Sequence, residues 1–366
     1  MKKTRRLRIA AGRVLRRLVR AILILNCILV LRAQERAANK FTVKPLALPG
    51  ANGLVTLDYF AYDEATRQLW VPAGNTGSVD VIDTTTDQIQ RVQGFAVKEV
   101  EFRGKMRPFG PSSVAIGDGV VYVGSRADSK ICVIEARALK LGNCLEFAPV
   151  SAGLAAAPDG LTYIAATKEL WVTSGAPPVG VPAAEKAIKI LSASSPDKLV
   201  PAGKIPLPGS AEGYAVDNEH ERFYTNLEET GRTVAIDVRK HAIAATWRSC
   251  DDPSGVAVDG KRGFVFVACK DHVIVLDAAH DGRVVGSVAT GSGVDNIDYT
   301  QASGLLYAAA QDAAQLTIAR VDDNGKPTTV SVLPTRQGVR SVVAGAGGVA
   351  YLIDPLNGTI LKVQPE

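Results

Sequence analysis

The sequence repeats one pattern of three strand-like runs seven times, and this repetition limits the fold more than any other feature. In the copy Pro253–Ala278, PSGVAVDGKRGFVFVACKDHVIVLDA, three short runs rich in valine are separated by turn residues. Runs of four to six β-branched or aromatic residues, bounded by Gly, Asp, Asn or Pro, are typical of antiparallel strands joined by hairpins. The other copies are Leu57–Asp83, Pro111–Glu135, Pro158–Ser192 with a Pro-rich insertion, Ala211–Asp237, Val294–Arg320 and Val339–Val363.

A fourth run lies between successive copies, as in QIQRVQGF, LVPAGKIPL and RVVGSVATG. Four strands recurring every 40 to 50 residues or so are typical of a propeller blade, whereas a turn of a parallel β-helix uses far fewer residues. The sequence therefore predicts an all-β protein, a seven-bladed β-propeller with four antiparallel strands per blade.

The two ends of the repeat region complement each other. The last copy stops at Val363 after three runs, while an additional run, FTVKPLAL (Phe41–Leu48), precedes the first copy. If this N-terminal strand joins the last blade, it closes the ring and covers the edges that would otherwise be exposed. We therefore expect residues 34–366 to form a single propeller domain without a linker.

Residues 1–33 differ sharply from the rest of the chain. They hold ten of the 42 Lys and Arg residues and none of the 37 Asp and Glu residues, which leaves the remainder with a net charge of −5. A cationic region followed by a short apolar stretch, Ala21–Leu31, is typical of an export signal and is short for a permanent transmembrane helix. We expect a periplasmic or extracellular protein cleaved near Ala33; an uncleaved membrane anchor is the main alternative, and a twin-arginine signal or lipid attachment at Cys27 are weaker ones.

Four cysteines remain after an export signal is removed. Export into an oxidising compartment permits disulfides. Cys132 and Cys144 lie on consecutive runs of the second copy, where they can face each other across a hairpin. Cys250 and Cys269 lie near strand ends of adjacent copies, on one side of the ring. We therefore expect the disulfides Cys132–Cys144 and Cys250–Cys269.

The motif SVDVIDTTTDQI, with second runs such as LWV and FVFV, resembles YVTN-type propeller repeats, and residues 41–366 resemble the YncE-like family of exported bacterial β-propellers. This chain has LWVP, VYVG, LWVT and FYTN where the family has the namesake tetrapeptide. The resemblance implies a periplasmic or surface protein, usually without assigned catalysis. One bacterial type of relative is associated with single-stranded DNA binding, so the resemblance also implies that function as an alternative.

One position near the start of each first run is polar in all seven copies. These residues, spaced 41 to 54 apart, are Asp58, Ser112, Asp159, Glu212, Ser254, Asp295 and Arg340. Because the inner strands of a propeller begin at the mouth of the central channel, we expect these side chains to form a polar collar there, with Tyr59, Tyr214 and Asn296 nearby. Neighbouring carboxylates repel unless positive charge intervenes, which Arg340 or a bound Ca²⁺ can supply.

The collar predicts a binding module that takes a small polar ligand or an exported protein partner. Solvation of a wet channel explains the same polar residues without any function. A metal-dependent hydrolase or lactonase using Glu212 and Asp295 is an alternative, since AEGY and VDNID resemble fragments of such channel sites. Nucleic-acid binding is disfavoured because the mature chain is acidic and its one basic stretch, Lys98–Pro108, contains two glutamates. We expect a monomer.

Overall fold

The computed structural model describes residues 41–102, 104–149, 157–174, 185–195 and 198–366. Seven four-stranded antiparallel sheets follow one another along this part of the chain, which confirms the predicted seven-bladed propeller. The proposed export signal or anchor, residues 1–33, lies outside the described residues.

Within blades one to six the strands run outward from the channel in chain order, and blade seven takes its outermost strand from the start of the chain. Blade one comprises β2 Ala61–Asp63, β3 Gln68–Ala73, β4 Ser78–Asp83 and β5 Ile89–Gln93. Blade two comprises β8 Pro111–Gly117, β9 Val120–Ser125, β10 Lys130–Glu135 and β11 Lys140–Glu146. Blade three comprises β12 Pro158–Ile164, β13 Glu169–Ser174, β14 Ala187–Ser195 and β15 Lys198–Pro206. Blade four comprises β16 Ala211–Asp217, β17 Arg222–Leu227, β18 Arg232–Asp237 and β19 Ala242–Arg248. Blade five comprises β20 Val256–Asp259, β21 Phe264–Ala268, β22 His272–Asp277 and β23 Arg283–Ala289. Blade six comprises β24 Val294–Thr300, β25 Leu305–Ala310, β26 Gln315–Val321 and β27 Pro327–Pro334. Blade seven comprises β28 Val342–Ala344, β29 Ala350–Asp354, β30 Thr359–Pro365 and, from the start of the chain, β1 Phe41–Ala47.

The N-terminal strand closes the ring as predicted. Strand β1 pairs antiparallel with β30, so that Phe41 faces Pro365 and Ala47 faces Thr359. Beside this pairing, Asp87 of blade one binds Lys44 at 2.7 Å and the buried Lys362 at 2.6 Å. The closing strand is therefore held by backbone pairing and by charge.

The hydrophobic core is divided among the contacts between blades. Alternation of side chains along each strand places apolar residues on both faces of every sheet, where they meet the next sheet. Among the described residues, seven buried clusters each join two neighbouring blades. Trp70 and Trp171 are fully buried within two of these clusters. Burial in strands explains these tryptophans without any role in binding.

The ring has two different faces. We call the side at which the inner strands begin the entry face, and the other side the exit face. The loops between blades and the loop after each second strand lie on the entry face, because strand direction alternates within a blade. Strand β1 is outermost in its blade and therefore starts, at Phe41, on the exit face. Within the described residues, no helix has the length and apolar character needed to cross a bilayer.

An additional hairpin between blades one and two was not predicted from the repeats. It consists of β6 Lys98–Phe102 and β7 Lys105–Phe109, which form their own two-stranded sheet on the entry side. Thr56 donates its hydroxyl to the carbonyl of Pro108 at 3.0 Å and anchors the base of the hairpin. The basic stretch considered for nucleic-acid binding is this hairpin, where Glu99 is exposed beside Lys98.

Both predicted disulfides are present. Cys132 lies on β10 directly opposite Cys144 on β11, and their sulfur atoms are 2.01 Å apart. Cys250 follows β19, Cys269 follows β21, and their sulfur atoms are 2.08 Å apart. The second disulfide therefore links blade four to blade five on the entry face.

Removing the Cys250–Cys269 disulfide should destabilise the protein measurably. Bridging residues 19 positions apart restricts the unfolded chain, which contributes about 3 kcal/mol in the chain-entropy model. We expect the variant carrying Cys250→Ser and Cys269→Ser to melt several degrees lower than the unchanged protein. Thermal unfolding by circular dichroism measures this difference. Equal melting temperatures, or two free thiols at these positions in protein purified without a reductant, would contradict the assignment.

Candidate functional site

The site is built where the inner strands begin, around the axis of the ring. Asp159, Glu212 and Asp295 lie within the first residues of β12, β16 and β24, and Asp58 and Arg340 precede the inner strands of blades one and seven. All five side chains are partly buried. We call this group, together with Arg126 described below, the basin; its residues are Asp58, Arg126, Asp159, Glu212, Asp295 and Arg340.

Arg340 joins two carboxylates across the closing seam of the ring. Its Nη2 donates to Asp58 Oδ1 at 2.7 Å, and its Nη1 donates to Asp295 Oδ2 at 2.6 Å. The carboxylates of Asp295 and Asp58 outweigh burial and raise the pKa of the Arg340 guanidinium, so it stays charged. Positive charge from within the chain therefore separates two of the four carboxylates.

Arg126 is a second bridging arginine, and the sequence analysis missed it. Its Nη1 donates to Asp58 Oδ2 at 3.0 Å and to Asp159 Oδ1 at 3.1 Å, and the side chain is only 8% exposed. Its guanidinium also lies 5.4 Å from the ring centre of Phe109. Arg126 follows the second strand of its blade, and that loop returns to the entry face. Counting only inner-strand positions left this loop out, although the motif GSRADSK placed a long cation there.

Glu212 is the basin carboxylate that the two arginines do not hold. Asp58, Asp159 and Asp295 all accept hydrogen bonds from arginine, whereas the carboxylate of Glu212 makes no hydrogen bond or ion pair with the described residues. Burial, followed by the nearby charges of Asp159 and Asp295, raises its pKa well above the usual value. Ionisation of the Glu212 carboxyl is consequently disfavoured relative to that of an exposed glutamate.

The arginines act differently on the two aspartates that Arg126 joins. Burial raises the pKa of Asp58, but Arg126 and Arg340 together outweigh it and hold that pKa below its usual value. Asp159 faces one guanidinium directly, and burial raises its pKa to about 6 despite Arg126. Two guanidinium groups therefore face the carboxylates of Asp58, Asp159 and Asp295, whereas Glu212 ionises less readily than an exposed glutamate because it is buried beside like charges.

Two tyrosine rings form the floor of the basin. Tyr59 of blade one and Tyr214 of blade four meet across the channel with ring centres 5.1 Å apart. The hydroxyl of Tyr214 donates to the carbonyl of Leu161 at 2.8 Å, and a Cβ on Gly160 would lie 2.2 Å from the Tyr214 ring. Glycine at position 160 therefore lets this ring reach blade three. Burial, together with the charges of Glu212 and Asp159, raises the pKa of the Tyr59 hydroxyl well above its usual value.

The remaining predicted positions contact backbone rather than the charged groups. Ser112 donates its hydroxyl to Gly124 O at 3.4 Å, and Ser254 donates to Val294 O at 3.0 Å. Asn296 donates its backbone N–H to the carbonyl of Arg340 at 3.0 Å. The structure thus brings five of the seven predicted positions into one charged group and leaves the two serines in support of the strand ends. The ligand-binding role of all seven stays a prediction.

The carboxylates of the basin are the candidate ligands for a metal ion. Among residues 41–366, leaving aside those the structure does not describe, no three His, Cys, Asp or Glu side chains form a group that could hold a metal ion. Three of the four basin carboxylates already accept from guanidinium groups. A calcium ion needs six to eight oxygen ligands, more than Glu212 and Asp295 offer by themselves.

The fold and this basin define a seven-bladed propeller with a cluster of charged side chains where its inner strands begin. No protein-family model matches the chain, and no curated protein matches its sequence. Solved structures do match over most of the chain. They include one from the mitotic checkpoint complex (TM-score 0.67, 13% identity, covering 88% of this chain and 91% of that one) and one of U3-55K (TM-score 0.66, 10% identity, covering 88% and 98%).

Two further matches have equally different contexts. They are hydrazine synthase of Kuenenia stuttgartiensis (TM-score 0.65, 12% identity, covering 87% of this chain and 98% of that one) and the Cps50 (Swd1) propeller domain of Myceliophteria thermophila (TM-score 0.64, 11% identity, covering 86% and 98%). Identities this low establish the propeller fold and leave function to the site itself.

Replacing Glu212 by glutamine should stabilise the protein above about pH 5. A raised pKa in the folded state contributes stability below the unfolded value of about 4.5 that is lost as pH rises. Glutamine keeps the size of the side chain and removes this loss. We expect the melting temperature of Glu212→Gln to exceed that of the unchanged protein by a growing margin between pH 5 and pH 8, reaching about 2 °C or more. Parallel thermal unfolding across this range measures it, and a margin that shrinks with rising pH would contradict the electrostatic account.

Proposed function

We propose that this protein is an exported binding module that recognises a small polar ligand or an exported protein partner through the basin on its entry face. One observation carries the proposal: charged side chains from six of the seven blades converge on one axis. A charged group that is only solvated does not need partly buried carboxylates, and burying them is costly. Ligand binding would explain why the chain partly buries these carboxylates despite the free-energy cost.

Binding rather than catalysis is favoured by the chemistry of the basin. Its members are carboxylates, guanidinium groups and phenols, and three of the carboxylates are fixed by arginine. Within the described residues, the basin contains no Ser or Cys nucleophile that is hydrogen-bonded to a base. Serine and cysteine nucleophiles are normally activated by such a base, so the basin lacks this form of covalent catalysis. The basin instead offers a rigid, pre-organised surface, which favours binding.

Export and a relationship to the YncE-like propellers belong to the same proposal. The two disulfides are consistent with an oxidising compartment. Phe41 starts on the exit face, so any segment attached before it joins the ring on the side away from the basin. An export signal or an anchor in residues 1–33 would therefore be attached at the side of the ring opposite the basin.

Photo-crosslinking from each face tests the proposal. A benzoylphenylalanine is placed in blade six either at Ser292, an exposed residue on the entry face, or at Ala302, an exposed residue on the exit face. We expect crosslinked adducts in the native compartment from position 292 and few or none from position 302. Adducts predominantly from position 302, or equal adducts from both positions, would overturn the assignment of the entry face.

A further inference from the structure

We propose that the basin binds an organic cation, a primary ammonium or guanidinium group, in front of Glu212. The inference rests on the proposed binding function and names the chemistry of its ligand. The same cation can belong to a small amine or to a lysine or arginine side chain of a protein partner. The experiment below distinguishes these sources.

The distribution of charge within the basin points to a missing cation. Arg340 and Arg126 engage Asp58, Asp159 and Asp295 through four hydrogen bonds of 2.6 to 3.1 Å. Glu212 faces the like charges of Asp159, Asp295 and Glu228, with Arg340 as the nearby positive group. Among the described residues no cation pairs with it. A ligand cation would therefore meet an acceptor that the chain itself leaves open.

The floor of the basin favours an organic cation over a metal ion. The rings of Tyr59 and Tyr214 contact each other, and Tyr59 lies close enough to Glu212 and Asp159 to feel their charges. Aromatic faces attract ammonium and guanidinium groups, and clusters of aromatic rings bind quaternary and primary amines in many proteins. The Tyr59 hydroxyl, unlike that of Tyr214, makes no hydrogen bond with the described residues, so it also remains free to accept one. A metal ion gains little from aromatic rings and needs more free oxygens than remain here.

The positions of Arg126 and Arg340 indicate where in the basin the ligand would bind. They occupy the side of the basin formed by blades one, two, three, six and seven. Glu212 lies on blade four, and its neighbour Ser254 on blade five is bonded to backbone. The remaining side of the basin, next to blades four and five, is consequently where an incoming cation finds unpaired negative charge and the Tyr214 ring.

Isothermal titration calorimetry on the purified exported protein tests the inference. The probes are N-acetyl-lysine amide, N-acetyl-arginine amide, butylamine, CaCl₂ and the uncharged N-acetyl-norleucine amide, at pH 8. We expect at least one cationic probe to bind at least tenfold more tightly than the norleucine derivative. Glu212→Gln should weaken that binding at least tenfold. Glu219→Gln, on the exit face of the same blade and exposed, is the matched control and should bind like the unchanged protein.

The results distinguish a small amine from a partner side chain and show whether the inference holds. Butylamine binding as tightly as the lysine derivative indicates a small amine as the source, and preference for the amino-acid derivatives indicates a partner side chain. No preference for cations, equal binding by Glu212→Gln, or binding of Ca²⁺ in place of the amines would each overturn the inference. If cation binding fails but crosslinking from position 292 persists, the proposed binding function stands and only this inference is overturned. If cation binding and crosslinking from position 292 both fail, both proposals are overturned. Because Glu212 makes no hydrogen bond, the glutamine variant is expected to fold, and its melting temperature checks this.

Discussion

A chain that lacks residues 41–48 should fail to form a stable ring. These residues supply the outermost strand of blade seven and bury Phe41, Leu46 and Leu48. At about 2 kcal/mol for each buried apolar side chain, and with the pairing to β30 also lost, the deletion removes most of the stability of about 5–15 kcal/mol typical of a folded protein. We expect insoluble protein or a melting temperature lowered by about 15 °C or more, measured by thermal unfolding against the chain that keeps residues 41–48.

Point variants within the same strand make this prediction robust if the shortened chain is never recovered. Leu46 is 8% exposed, whereas Val43 on the same strand is 44% exposed. Leu46→Asp buries a charge in the contact between blades seven and one and should cost several kcal/mol. Val43→Asp introduces the same charge at the surface and should cost less than about 1 kcal/mol. Equal stability of these two variants would contradict the closing role of β1.

Replacing Arg126 by methionine should destabilise the protein by about 3–5 kcal/mol at neutral pH, because removing one partner of a buried ion pair leaves the other charge uncompensated. Arg126 is 8% exposed and serves Asp58 and Asp159 at once. The loss corresponds to a decrease of roughly 6 to 10 °C in melting temperature. Arg137→Met is the matched control, since Arg137 lies exposed in the same blade, and should change stability by less than about 0.5 kcal/mol.

The pH dependence of the Arg126→Met variant distinguishes a lost ion pair from lost packing. In the unchanged protein the arginines hold the pKa of Asp58 below its usual value, so this contribution is present above that value and is lost as pH falls. The deficit of the variant should therefore be largest near pH 7 and shrink toward pH 4, as Asp58 and Asp159 become protonated. A deficit that is constant with pH would indicate that Arg126 matters only through its contacts with Phe109 and other neighbours.

The fold was predictable from sequence because each blade repeats a local pattern. Runs of β-branched residues with turn residues between them specify each hairpin locally. The isolated run Phe41–Leu48 could complete a closed ring only as the fourth strand of the last blade, where it pairs with β30. The disulfides followed for the same reason, since strand assignment placed Cys132 opposite Cys144. The hairpin at Lys98–Phe109 was missed because it occurs once and follows no repeat.

The site was predictable only in part, because its chemistry depends on contacts between residues far apart in the chain. A register of polar residues found Asp58, Asp295 and Arg340, which meet across 45 and 282 positions of sequence. The pattern could not show that the serines bond to backbone. It also could not show which carboxylate the arginines leave unpaired, since that follows from the reach of Arg126 out of a loop. The resemblance to YncE-like propellers predicted the fold and did not name a ligand.

The convergence of distant side chains on the axis of a closed ring is the central claim, and a double-mutant cycle between Asp58 and Arg340 tests it most directly. These residues are 282 positions apart and belong to blades one and seven, which the closing strand joins. The free energy of unfolding is measured at pH 7 for the unchanged protein, Asp58→Asn, Arg340→Met and the double variant. We expect a coupling energy of about 1–3 kcal/mol. Additive effects of the two substitutions, with no coupling, would show that the two side chains do not meet and would contradict the account.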